Sequence, residues 1–170
     1  LQTTKKNKKA IYREYKRMIN MGYSDDEFPK VRTWLNWSLA LPHDKMKNIS
    51  YSKNELTLFL QNVSKKMDEK LYGMQKVKEQ ILLFLNSRLL NPKMQKCSLG
   101  LLGPPGCGKT TIVKLLADIL NFPLEQISLG GITSPEFLKG HQSVYIGSGP
   151  GEIVRCLCRM GAKNGIIFFD

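Results

Sequence analysis

The stretch Leu99-Gly100-Leu101-Leu102-Gly103-Pro104-Pro105-Gly106-Cys107-Gly108-Lys109-Thr110-Thr111 decides the fold. A short apolar run stops at a glycine. Gly103 to Thr110 then matches the phosphate-loop pattern G-x-x-x-x-G-K-[ST], the Walker A motif. The chemistry explains the residue types. Phosphate oxygens need several backbone amides aimed inward, and glycines let the backbone come close enough. The helix that follows adds the positive end of its dipole. In such a loop the Lys109 ammonium reaches the β- and γ-phosphates, and the Thr110 hydroxyl is a magnesium ligand. The competing reading is a plain tight turn between strand and helix. The context favours the phosphate loop, because an apolar strand precedes it and an amphipathic helix follows.

Downstream, the pattern predicts a helix over 109–120 with Ile112, Val113, Leu115, Leu116 and Leu120 inward. Strands are expected at 99–102, 124–129 and 165–170. A short helix starts at Ser134-Pro135-Glu136, with Ser134 as its cap and Pro135 in the first turn. Residues 141–150 read as a Gly-rich loop and 151–163 as another helix. Ile166-Ile167-Phe168-Phe169-Asp170 fits a Walker B strand. Four apolar residues bury the strand, and the Asp170 carboxylate at its end can hold magnesium through water. That motif is weak alone, but it comes about 60 residues after the phosphate loop.

Upstream the period is helical throughout. Helices are expected over 8–20, over 30–41 with Val31, Trp34, Leu35 and Leu39 on one face, and from 53 onward. The third opens on the capping box Ser52-Lys53-Asn54-Glu55. A fourth follows Tyr72-Gly73, carries Val77, Ile81, Leu82, Leu85 and Leu89, and ends at Asn91-Pro92. Trp34 and Trp37 are read as packing within this helical half. Met18, Met21, Met67 and Met74 are read as core filler.

The chain has 170 residues, 42% hydrophobic and 24% charged, the composition of a globular domain. Its longest apolar run, Ile81 to Leu85, is far short of the ~20 residues that span a bilayer, so no membrane partner is expected. The spacing of Cys97, Cys107, Cys156 and Cys158 fits no zinc site. Free thiols in a reducing compartment are expected, which points to cytoplasm or an organellar matrix. The net charge is +12, and Lys5, Lys6, Lys8, Lys9, Arg13, Lys16 and Arg17 crowd the start against Glu14. This is either a solvated helix face or a DNA or membrane-surface contact. No aromatic platform or recognition motif accompanies the charge, which favours the first. The chain lacks an initiator Met and stops straight after a buried-strand pattern, so a piece of a longer protein is expected.

The motifs together resemble the Lon family of ATP-dependent proteases. Ser128-Leu129-Gly130-Gly131-Ile132, Lys139-Gly140-His141 and Tyr145-Ile146-Gly147-Ser148-Gly149-Pro150-Gly151 resemble the Lon run S-L-G-G-V, K-G-H-x-x-T-Y-I-G-x-x-P-G. Asp68-Glu69, Tyr72-Gly73-Met74 and Val77-Lys78 are similar to D-x-x-H-Y-G-L-x-x-V-K. Trp34-Leu35-Asn36-Trp37 to Leu41-Pro42 is similar to Y-L-D-W-x-x-x-L-P-W, and Arg13 to Met18 sits where Lon has a long linker helix. The resemblance covers nearly the whole chain. Leu71, Val144 and His43 depart from the family's His, Thr and Trp.

The resemblance implies an α/β chain: a helical connector over 1–50, the helical N-terminal part of an AAA+ module over 51–96, and a P-loop (RecA-like) core with an incomplete parallel sheet over 97–170. It implies binding of ATP and Mg2+. The nucleotide contacts are Gly103, Pro104, Pro105, Gly106, Cys107, Gly108, Lys109, Thr110 and Thr111, with Tyr72, Gly73 and Val77 near the adenine. Lys109 and Asp170 are the implied catalytic residues, and Thr110 and Asp170 the metal ligands. Tyr145 and Ile146 become a pore loop that grips unfolded protein substrate in a homo-oligomeric, hexameric ring. The implied function is the motor portion of a Lon-type serine protease. A Lon-like unfoldase without a protease domain is the alternative, since no Ser-Lys pair, arginine finger or sensor is in the sequence. A basic nucleic-acid-binding ATPase and a small-molecule P-loop kinase are further alternatives. The family's sheet order, 5-1-4-3-2, places the 99–102 strand between two strands that would follow Asp170. That predicts unpaired edges for it and poor folding and hydrolysis by this chain alone.

Overall fold

A computed structural model describes residues 2–47, 52–91, 98–140 and 149–170, apart from the Lys53 side chain. The described elements are α1 (Lys5–Ile19), α2 (Phe28–Ala40), α3 (Lys53–Lys70), α4 (Gln75–Leu90), α5 (Lys109–Leu120), β1 (Leu124–Ile127), α6 (Glu136–Lys139), α7 (Glu152–Met160) and β2 (Ile166–Phe169). They fall into two compact units. One is Leu1–Lys47 with Pro123–Asp170, and the other is Asn48–Phe122.

The unit of residues 48–122 is a helical cluster. Ser52 Oγ accepts from the Glu55 amide at 3.4 Å, and the Ser52 amide donates to Glu55 Oε2 at 2.8 Å, so the capping box forms as the sequence requires. Glu55 is held below the ordinary carboxylate range, first by the Ser52 backbone bond and then by its side-chain bond. Val63, Met67 and Leu71 from α3 and its cap, Ile81 and Leu85 from α4, and Ile112, Leu115 and Leu116 from α5 form one buried core. Each such side chain contributes about 1.5–3 kcal/mol when fully buried. α5 ends at Asn121, whose backbone is left-handed, an ordinary helix stop for Asn.

The unit of residues 1–47 and 123–170 holds the sheet. β1 and β2 run parallel, with Leu124 opposite Ile166 and Ile127 opposite Phe169. The ladder is extended by the Asp170 amide donating to Ile127 O at 3.0 Å and the Leu129 amide donating to Asp170 O at 2.6 Å. Ile127, Cys156 and Ala162 are buried here, as are Val31 and Leu35 of α2. Arg159 bridges α7 to β1, its Nε donating to Glu125 and its Nη2 to Glu152, each at 2.7 Å. The segment after α2 is tied to the segment between α7 and β2. The Lys47 amide donates to Asn164 Oδ1 at 2.9 Å, Asn164 Nδ2 donates back to Lys47 O at 2.7 Å, and the Lys163 amide donates to Lys45 O at 2.8 Å.

Several expectations are corrected. Residues 99–102 form no strand among the described residues. A strand exists only through its ladder partners, and this run has none among the described residues. Leu102 is fully exposed and Leu99 is 40% exposed. β1 stops at Ile127 and α7 at Met160, where Gly161 turns left-handed. Ser134 Oγ does accept the Glu136 amide at 3.2 Å, but the helix starts one residue later than expected, with Pro135 at the cap. On α2, Trp34 and Leu39 are exposed, so only part of its apolar face is covered. Trp37 does not pack only within the helical half, because the Arg155 guanidinium of α7 lies 5.9 Å from its ring centre. No helix among the described residues is long and apolar enough to cross a membrane.

Candidate nucleotide site

The Walker A loop joins the 99–102 run to α5, and its conformation follows from its glycines. Gly106 has φ +75° and Gly108 φ +89°, a region that costs other L-residues about 1–2 kcal/mol. A Cβ on Gly103 would lie 2.8 Å from Cys107 Sγ, so that thiol would have to shift to admit a side chain. The Cys107 amide reaches back to Pro104 O at 3.5 Å. Gly108 is the N-cap of α5 and has no side chain to bond the first amides of the helix.

Lys109 is the charged group of this loop. Its Nζ donates to Gly103 O and Pro104 O, both at 2.9 Å, and lies 3.9 Å from Cys107 Sγ. The ammonium therefore sits inside the arc of the loop with carbonyl acceptors as partners. Thr110 is half-buried at the first turn of α5, and Thr111 is exposed. These features fit a polyphosphate: left-handed glycines, a helix start with no side-chain cap, and a cation aimed into the loop.

The α3–α4 turn borders this loop within the same unit. Gly73 and Met74 are both left-handed, at φ +66° and +54°. The Met74 Cε methyl lies 3.7 Å from the place a Cβ on Gly108 would take. Met74 is thus not core filler; it is 38% exposed and packs beside the loop. Tyr72 is fully exposed and Val77 37% exposed. Under this turn's two helices lies a buried cation. Lys78 is 6% exposed, and its Nζ donates to Asp68 Oδ1 at 2.8 Å and to Leu71 O at 2.7 Å. In the sequence Lys78 is read only as part of the family motif, and its burial and the placement of Met74 are not evident. A signal for Lys78 was available, since it lies on the helical stripe of Ile81 and Leu85, three and seven residues earlier.

The remaining candidates lie elsewhere. Asp170 belongs to the other unit, where it is exposed at the end of β2 and its Oδ2 accepts from Gln126 Nε2 at 2.9 Å. His141, Tyr145 and Ile146 lie outside the described residues. The two ends of that segment are described: Gly140 and Pro150 form an antiparallel bridge, and Arg155 Nε donates to Pro150 O at 3.1 Å. The closure leaves no room for side chains at its glycines. A Cβ on Gly151 would overlap the Leu138 carbonyl, and one on Gly140 would be 2.6 Å from the Gly151 amide. Among the described residues there is no cluster of three or more His, Cys, Asp or Glu suited to a metal ion.

Residues 99–170 match the family described as "ATPase family associated with various cellular activities (AAA)". The chain is 33% identical over 163 residues to the Lon protease of Lawsonia intracellularis, across 96% of this chain and 19% of that protein. It is 32% identical over 173 residues to Lon protease 3 of Sorangium cellulosum, across 100% of this chain and 20% of the relative. It is 36% identical over 144 residues to the Lon protease of Desulfatibacillum aliphaticivorans, across 85% of this chain and 17% of the relative. The chain thus spans about a fifth of the length of these curated relatives.

Proposed function

The chain belongs to the Lon family of AAA ATPases, and on that premise we propose that it is the ATP-binding and ATP-hydrolysing motor portion of a protein that unfolds and threads protein substrates. The observation that carries the nucleotide part is Lys109, held inside its loop on the Gly103 and Pro104 carbonyls. A polyphosphate offers that ammonium stronger, charged acceptors. Within Gly103 to Thr111, every residue but Pro104 and Pro105 has a backbone N–H to offer the phosphates, and Thr110 and Thr111 add hydroxyls. Tyr72, Gly73 and Val77 are assigned to the adenine side, consistent with the turn's position beside Gly108.

Mg2+ is proposed as the companion of ATP, with Thr110 and Asp170 as its oxygen donors. When bound, the ion neutralises charge that develops on the phosphates. Lys109 does the same from the protein side. Asp170, exposed at the end of a parallel strand, stands where open α/β sheets place ligand-binding residues.

The threading role is assigned to Tyr145 and Ile146. An aromatic-aliphatic pair grips apolar side chains without reading sequence. The residues that flank this pair in sequence, Gly140 and Pro150, form an antiparallel bridge. Unfolded proteins, a homo-oligomeric, hexameric ring and a serine-protease domain elsewhere in the protein complete this reading. The test is Tyr145→Ala in the intact protein. ATP binding should be unchanged while processing of an unfolded substrate falls at least tenfold, an estimate of about 1.4 kcal/mol or more. Processing at the normal rate would refute the assignment.

One observation favours a second partner. α1 has no buried residue, and it carries Lys5, Lys6, Lys8, Lys9, Arg13, Lys16 and Arg17. A DNA contact there would weaken steeply with salt and vanish on deleting residues 1–20. Binding that survives the deletion would place it elsewhere.

A further inference from the structure

The described residues include one buried charged side chain, Lys78, paired with the exposed Asp68, and it sits at the turn beside the phosphate loop. Lys78 is the sole buried charged residue among them. A cation in such a place survives only if its donors are satisfied, and its two partners are chosen tellingly. Asp68 Oδ1 at 2.8 Å belongs to the last turn of α3, and Leu71 O at 2.7 Å is the carbonyl at that helix's cap. Lys78 itself lies in the first turn of α4. The ammonium therefore staples the end of α3 to the start of α4.

Between those anchor points the chain has only Tyr72, Gly73 and Met74 before α4 begins. Met74 is left-handed, an uncommon conformation for a residue with a long side chain. Its carbonyl accepts from both the Val77 and Lys78 amides, at 2.9 and 3.0 Å, so the backbone of Lys78 also holds the turn. The product of this arrangement is specific. The Met74 methyl is set beside Gly108, and the Tyr72 side chain is left fully exposed.

We propose that Lys78 is a positioning residue for the nucleoside side of the nucleotide site. It fixes Tyr72-Gly73-Met74 against the phosphate loop and so sets how much binding the nucleoside adds to that of the phosphates. This rests on the reading of Gly103 to Thr110 as an ATP site. Lys78 touches neither the phosphates nor the loop. Its loss should therefore be felt by ATP and not by a ligand made of phosphates alone. A merely structural role would weaken both alike or neither.

The test uses the intact protein, a fluorescent ATP analogue as probe, and ATP and inorganic tripolyphosphate as competitors. Wild type is compared with Lys78→Met and Asp68→Asn. Lys78→Met should weaken ATP about tenfold and tripolyphosphate less than about twofold, the size expected for a displaced element rather than a lost contact. Asp68→Asn, at a half-exposed side chain, should shift ATP in the same direction by about threefold. It decides the matter if Lys78→Met does not fold. Equal weakening of both competitors, or no weakening of ATP in either variant, overturns the proposal. Failure of tripolyphosphate to compete with wild type would instead overturn the phosphate-loop reading, and the proposal with it.

Discussion

Lys109 Nζ donates to the carbonyl oxygen of Gly103 at 2.9 Å, so the loop's cation is already paired with the loop's own first residue. The Cys107 side chain lies close to that bond. A Cβ on Gly103 would meet Cys107 Sγ at 2.8 Å. The loop's shape thus depends on one missing side chain and on the position of one sulfur.

Gly103→Ala should weaken ATP binding, because the Cys107 sulfur must shift within the loop to admit the new methyl. Adding Cys107→Ala removes the sulfur and should restore much of the loss. The coupling between neighbouring sites of this kind is about 0.5–3 kcal/mol. Nucleotide titration of the four proteins checks it. Additive losses would show that the sulfur is not what the new methyl meets.

Gly106→Ala and Gly151→Ala separate two costs. At Gly106 there is open space but φ is +75°, so the expected loss is about 1–2 kcal/mol of conformational cost. At Gly151 a Cβ overlaps the Leu138 carbonyl and crowds the Gly140 amide, so backbone must move. Gly151→Ala should be the more destabilising in urea unfolding. The reverse order would mean that the closure around Gly140 and Gly151 does not form.

Ser52→Ala should cost about 0.5–2 kcal/mol by removing a helix cap. The Glu55 half of the box is pH-dependent. Its carboxyl is depressed in the folded chain, so its stabilisation is present above the unfolded value of about 4.3. It is lost as pH falls through the lower folded value. The penalty of Glu55→Gln should therefore shrink in acid, measured by urea unfolding at pH 7 and below pH 4. A penalty independent of pH would contradict the capping box.

Thiol labelling distinguishes the cysteines in a Cys97→Ser background. Burial pushes the Cys156 and Cys158 thiols up, and Cys156 is fully buried. Cys107 is half-buried in the phosphate loop. At pH 7.5 Cys107 should label first, and ATP should slow it by about tenfold or more as the site fills. Unprotected labelling in saturating ATP would place the nucleotide elsewhere.

Local patterns were legible in the sequence and nonlocal ones were not. The Lys109–Leu120 helix and the Ser52–Glu55 cap are written in residues a few positions apart. Whether Leu99 to Leu102 becomes a strand depends on partners distant in sequence, and the apolar run alone could not decide it. The left-handed Met74 was hidden as well. Its left-handed φ of +54° lies in a turn between two helices, and the local residue pattern does not announce it. Tyr72 and Gly73 were legible only through the family resemblance, since an exposed Tyr beside a Gly has no pattern of its own.

The most direct test is steady-state ATP hydrolysis by the intact protein, with and without an unfolded polypeptide, in wild type and Lys109→Ala. Hydrolysis should rise with polypeptide in wild type and fall at least a hundredfold in Lys109→Ala, about 2.7 kcal/mol or more of lost stabilisation. Hydrolysis that persists in Lys109→Ala, or that ignores the polypeptide, would contradict the account of this loop as the seat of a protein-threading motor.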